Sequence, residues 1–173
     1  MPLLAQRYAL RLSILIRFGN AADVDAAVSV YERSNLARRG GVWPTRAAGV
    51  ERVRSHLRDS ASWFLLALDA AAVVGMASAK PLWGEHGPGT VTRGSLFLSY
   101  LFVVPERFGE GIGGTLLDAV LAEARRRHYM RVHLWTHEDN GRSHRLYRSR
   151  GFAPTGRRLE SEGEWARDLG SVL

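Results

Sequence analysis

The chain has 173 residues, 46% of them hydrophobic, enough to build a single domain over 1–173 with a sizeable core. It has no cysteine, which excludes disulfides, a cysteine nucleophile and thiolate metal sites and is compatible with a reducing cytoplasm. The net charge of +7 rests on dispersed arginines, Lys80 being the only lysine; this reads as a solvated face and argues against a nucleic-acid patch, and no apolar run reaches membrane-spanning length.

Leu10 to Arg17 alternates and is broken by arginine, which predicts a strand rather than a signal-peptide core. Asn20, Asp23 and Asp25 then supply a cap and early acids for a helix through Ala26, Val28, Val30 and Tyr31. Arg38 to Pro44 is a turn-rich break, with Trp43 either a substrate-facing aromatic or a cap on the core, and Ala47 to Arg58 reads as a second helix. Trp63 to Leu68 and Val73 to Ala79 predict a hairpin joined at Asp69–Ala72. Pro81 to Gly94 reads as a loop carrying Trp83, Glu85 and His86, followed by a strand over Ser95–Val104.

That strand runs into a glycine-rich turn. Gly109, Gly111 and Gly113 have no Cβ, so the backbone can come close to an anion and turn its N–H groups toward it, and the helix opening near Gly113 adds unpaired donors and a positive dipole end. A P-loop is excluded because Gly113-Gly114-Thr115 lacks the lysine. A dinucleotide fold is weakened by the motif's position past mid-chain, although Glu138 after the next strand imitates its ribose-binding acid. Ile112, Leu116, Leu117, Val120, Leu121 and Ala124 recur at helical spacing, and Arg125 to Arg127 close the helix where cations suit its dipole. Met130 to Thr136 is the next strand, with His133, Trp135 and His137 on one face. Asn140 to Arg150 is a short helix stopped by Gly151, and Phe152 to Leu169 a terminal strand pair. The histidine spacing makes a poor closed shell, so no metal is expected.

Val103-Val104-Pro105, Gly109, Gly111-Ile112-Gly113 and Leu116-Leu117, followed by Asn140 to Phe152 in the pattern N-x-x-S-x-x-L-Y-x-x-x-G-F, resemble the two acyl-CoA motifs of the GNAT superfamily of N-acyltransferases. One position departs from that pattern: Phe108 stands where the family carries Gln or Arg, with Arg107 just before it. The resemblance implies an α/β fold, a mixed, largely antiparallel central sheet flanked by helices in the order β-α-α-β-β-β-α-β-α-β-β. It implies direct transfer of an acetyl group from acetyl-CoA to a primary amine in a ternary complex. The acceptor is open: a small amine, an amino acid analogue or a protein amine. By the same resemblance the acyl-CoA ligands are the backbone of Leu101 and Val103, the turn Phe108, Gly109, Glu110, Gly111, Ile112, Gly113, Gly114 and Thr115, and Asn140 and Ser143. Tyr147 is the implied general acid, since a phenol of pKa about 10 suits a departing thiolate. His137 and Glu138 are placed as base candidates, and Arg142 or Arg145 as a contact for the CoA 3′-phosphate. A homodimer is compatible with this family. The rival functions are a degenerate acyl-CoA-binding module, prompted by Phe108, and an arginine-rich nucleic-acid-binding domain.

Overall fold

The computed structural model describes residues 14–40, 47–84 and 91–170. Trp43, Glu85, His86 and the beginning of the predicted first strand lie outside them. The elements are β1 (Leu15–Phe18), α1 (Val24–Arg38), α2 (Ala47–Arg58), β2 (Trp63–Asp69), β3 (Ala72–Trp83), β4 (Val91–Val103), α3 (Ile112–Arg126), β5 (Arg131–His137), α4 (Gly141–Ser149), β6 (Ala153–Leu159) and β7 (Glu162–Asp168). This is the order the family resemblance implies. They form one seven-stranded sheet, β1-β2-β3-β4-β5-β7-β6, in which only β4 and β5 are parallel neighbours.

Local chemistry explains the boundaries. Asn20 and Asp23 make a reciprocal capping box at the turn that leads into α1, and Arg17 pairs with Asp23 at 2.7 Å, holding that carboxyl at a pKa of about 2. α3 begins behind Gly111, whose φ of 85° only glycine adopts freely, and α4 ends at Gly151, with φ 79°. β2 is buried on both faces, from Trp63 to Leu68, which places it in the middle of the layers. α3 lays Leu116, Leu117, Val120 and Leu121 on the sheet at helical spacing. Gly75 permits this close approach, because a Cβ there would lie 2.9 Å from the Leu116 methyl.

One expectation is corrected. Pro81 to Gly94 is not loop throughout, since β3 continues through Pro81 to Trp83 and β4 begins at Val91. Proline cannot donate to the ladder, and the register shifts between Pro81 and Trp83, so the irregularity absorbs the missing bond.

The feature that creates a site lies in β4. Ser78 pairs with Tyr100 and the next residue, Ala79, with Leu98, so Ser99 is an extra, bulged residue that bends the strand. Before the bulge, Ser95–Phe97 pair with Arg131–His133 of β5; beyond it the two strands no longer pair. The sheet therefore opens between β4 and β5, and the β4 edge from the bulge to Val103 turns unpaired peptide groups into the gap.

Candidate active site

A cavity of about 630 Å³ lies where β4, the glycine turn and the starts of α3 and α4 converge. Leu101 and Val103 line it from the free edge of β4; Phe108, Gly109, Gly111, Ile112, Gly113 and Gly114 line it from the turn and α3; Asn140, Ser143 and Tyr147 line it from α4. Glu110 and Thr115 are not among the lining residues. The Glu110 carboxylate accepts from Arg107 at 2.6 Å, and the Thr115 hydroxyl donates to the Gly111 carbonyl at 3.2 Å.

The turn has the properties of an anion cradle. Gly109 and Gly111 have φ of 83° and 85°, and among the described residues nothing lies within 4 Å of where a Cβ would stand on either. The protein leaves that space open on the side where the backbone turns. Helical bonding starts only with the Thr115 N–H to the Gly111 carbonyl at 3.0 Å, so the amides of Ile112, Gly113 and Gly114 precede the ladder as free donors at the positive end of α3.

Arg107 is committed elsewhere, to Asp69 at 2.7 Å as well as to Glu110. The cation over the cradle comes instead from α4: the Arg142 guanidinium lies 4.0 Å from the centre of the Phe108 ring, and both side chains line the cavity. Among the described residues no carboxylate pairs with Arg142. The aromatic at the position of the family's Gln or Arg thus serves as a platform for an arginine from another element.

α4 is positioned by its cap and by its packing. The Asn140 side-chain oxygen accepts from the Ser143 N–H at 3.2 Å, which leaves its amide N–H₂ out of the cap, and Asn140 lines the cavity. Tyr147, one turn beyond Ser143, is buried, with its ring 5.8 Å from Phe152 and 6.5 Å from Trp165. Burial pushes its phenol pKa above the ordinary value, so the hydroxyl is a proton donor at neutral pH.

A second cavity, about 580 Å³, adjoins the same strand, lined by Phe97, Ser99 and Tyr100 of β4 immediately before the residues that line the first. α2 contributes Arg52, Ser55 and His56, Asp59 follows just beyond it, β3 contributes Lys80, and Trp135, Leu159 and Glu162 complete it. His56 stacks edge-on against Tyr100 at 5.1 Å, and its Nε2 is 2.9 Å from the Ser78 hydroxyl. Burial, and then the nearby Lys80 ammonium, hold its pKa down at about 4, so it is neutral at physiological pH.

A family model described as Acetyltransferase (GNAT) family matches residues 21–152. The chain belongs to that family. No curated protein matches it, whereas many solved structures do. The PaiA N-acetyltransferase of Thermoplasma acidophilum in complex with coenzyme A superposes on this GNAT acetyltransferase with a TM-score of 0.71 at 18% identity, over 90% of this chain and 99% of that one. The ribosomal-protein-S18-alanine N-acetyltransferase of Escherichia coli gives 0.72 at 15% identity, over 92% and 96%. YncA of Salmonella typhimurium, with its cofactor acetyl-CoA, gives 0.71 at 24% identity, over 92% and 96%. At these identities the likeness establishes the fold.

The two base candidates of this GNAT acetyltransferase do not line either cavity described above. His137 Nε2 lies 3.3 Å from Glu162, whose side chain does line the second cavity. Glu138 is turned outward to Arg158 at 2.6 Å, at a separate surface depression over β6 and β7. His133, on the same face of β5 as His137, is buried with Nδ1 2.6 Å from Glu164. Sequence reasoning missed His56, Tyr100, Arg52, Lys80 and Glu162. The alternation of β5 had already put Trp135 on this face, and Lys80 was conspicuous as the single lysine, but the partners come from elements distant in sequence.

Proposed function

We propose that this protein transfers an acetyl group from acetyl-CoA to a primary amine by direct attack within a ternary complex. The observation that carries this reading is the gap between β4 and β5, with an open anion cradle at one end and a separate cavity alongside. The residues present fit the cosubstrate. The positive-φ glycines, the free α3 amides and Arg142 suit a pyrophosphate, and a cavity of about 630 Å³ is of the size that takes a large cofactor arm.

Acetyl-CoA supplies an activated acyl carbon and a thiolate leaving group. The unpaired peptide groups of Leu101 and Val103 hold the pantetheine and the acyl carbonyl along the β4 edge, with the Val103 N–H directed at the carbonyl oxygen. The Asn140 amide and Ser143 complete the arm's contacts. The acceptor enters from the second cavity. As its nitrogen forms the C–N bond and the C–S bond breaks, Tyr147 gives its proton to the departing sulfur. The proton shed by the amine passes to Glu162, which His137 backs at 3.3 Å, and Tyr147 is reprotonated from solvent. No covalent enzyme intermediate is required, which suits a chain without cysteine.

The test is incubation with acetyl-CoA and pooled amines, following free thiol and acetylated product by mass spectrometry. Thiol release matched by acetylated amine is the expected result. Tight coenzyme A binding with no product on any amine pool would overturn the assignment of catalysis.

A further inference from the structure

The second cavity holds two acids and two cations that are partnered differently. Its two acids are engaged: Asp59 accepts from the Ala61 N–H at 2.9 Å, and Glu162 faces His137. Its two cations, Arg52 on α2 and Lys80 on β3, have no carboxylate partner among the described residues. Both cations are felt inside the site: Lys80 disfavours the protonated form of His56, which Asp59 favours less strongly, and Arg52 opposes the upward shift that burial imposes on the Tyr100 phenol. Apolar walls of the same cavity are Phe97, Tyr100, Trp135 and Leu159.

We propose that the acceptor taken by this cavity is a small amine that also carries an acid, an α-amino acid or a close analogue, with its oxyanion between Arg52 and Lys80 and its apolar part against Tyr100 and Trp135. This rests on the acetyltransferase reading above for the fate of the amine, although the acid site itself stands on the cavity alone. Two cations with no carboxylate partner of their own among the described residues supply charge-assisted hydrogen bonds to a carboxylate, phosphonate or phosphinate. The same two cations repel a polyamine or a lysine side chain, whose ammonium has no acid to offer in exchange. A peptide N-terminus lacks the α-carboxylate and leaves both cations unpaired. The volume, about 580 Å³, is of the size that encloses a small molecule rather than an extended peptide.

The experiment compares the proteinogenic α-amino acids with their α-amides, the matching decarboxylated amines, aminophosphonates and short peptides. Turnover is read by thiol release with acetyl-CoA, and binding by calorimetry with and without coenzyme A. The expected result is a preference of about 10- to 100-fold for at least one acid over its own amide and amine, the size of a charge-assisted hydrogen bond, with aminophosphonates retaining it where shape allows. In Arg52→Gln/Lys80→Gln, that ratio should collapse toward unity while coenzyme A affinity stays at the wild-type value, which also reports that the variant is folded. Equal or better use of amides, amines or peptide N-termini would overturn the proposal, as would an acid preference that survives the double substitution. Failure of wild-type protein to bind coenzyme A would sink the acetyltransferase reading instead, and the calorimetry on acids and amides would still decide the acid site.

Discussion

Arg142 over Phe108 yields a quantitative prediction about how the cradle holds phosphate. Arg142 is exposed, unpaired with acid among the described residues and stacked 4.0 Å from the ring centre, so it is placed in advance but not neutralised. Arg142→Ala removes one charge-assisted hydrogen bond to the pyrophosphate, about 1.5–3 kcal/mol, which weakens coenzyme A binding about 10- to 100-fold. Phe108→Ala keeps the charge and loses only its platform, about 0.5–1 kcal/mol, or about 2- to 5-fold. If the ring acts by holding the guanidinium, the double variant binds no worse than Arg142→Ala, a coupling of about 0.5–1 kcal/mol. Calorimetry with coenzyme A, 3′-dephospho-coenzyme A and pantetheine locates the contact. The Arg142→Ala loss should persist with the dephospho form, vanish with pantetheine, and shrink at high salt. Wild-type affinity in Arg142→Ala, an equal loss with pantetheine, or additive single effects would refute the clamp.

Two further outcomes follow from named groups. Tyr147→Phe should keep acetyl-CoA affinity while lowering kcat by about 10²-fold, the low end for a general acid because thiolate leaves readily; unchanged kcat with chemistry rate-limiting would reduce Tyr147 to packing. His56 has a folded pKa of about 4 against about 6.5 unfolded, so the stability tied to its neutral form is full above pH ~6.5 and is lost as pH falls toward 4. Discounted for its partial exposure, that is about 1–2 kcal/mol, and urea titrations across this window should be flatter in His56→Asn than in wild type. Parallel slopes would contradict it.

The sequence was most legible where function imposes local geometry. The glycine turn, the α4 cap at Asn140 and the Ser143–Tyr147 face are each read within one or two turns of chain, and the structure gathers them around one cavity. α2 over Ala47–Arg58 was equally plain, since the turn-rich sequence Arg38 to Pro44 sets its start apart. The second cavity was not legible, because it depends on long-range register. The Ser99 bulge sets which β4 side chains face α2, and nothing in the string Leu98-Ser99-Tyr100 marks an extra residue. His137 ends β5 and Glu138 follows it, but the β6–β7 hairpin brings Glu162 to the first and Arg158 to the second, so cross-strand partners decide their directions. Pro81 opened the stretch read as a loop, yet a register shift in the β3–β4 ladder accommodates it within the strand.

The central claim, that the cradle between β4 and α3 binds acetyl-CoA, is tested most directly by calorimetric titration of wild type and Gly113→Leu with acetyl-CoA. A Cβ on Gly113 would make ordinary contacts, 3.5 Å to Leu146 and 3.8 Å to Val103, so a side chain is tolerated at its root while its remainder extends among the residues lining the cavity. The account predicts one saturable site in wild type, a matching rise in melting temperature, and loss of both in a Gly113→Leu protein that still unfolds cooperatively. No heat and no thermal shift in wild type at saturating acetyl-CoA, or undiminished binding in Gly113→Leu, would contradict it.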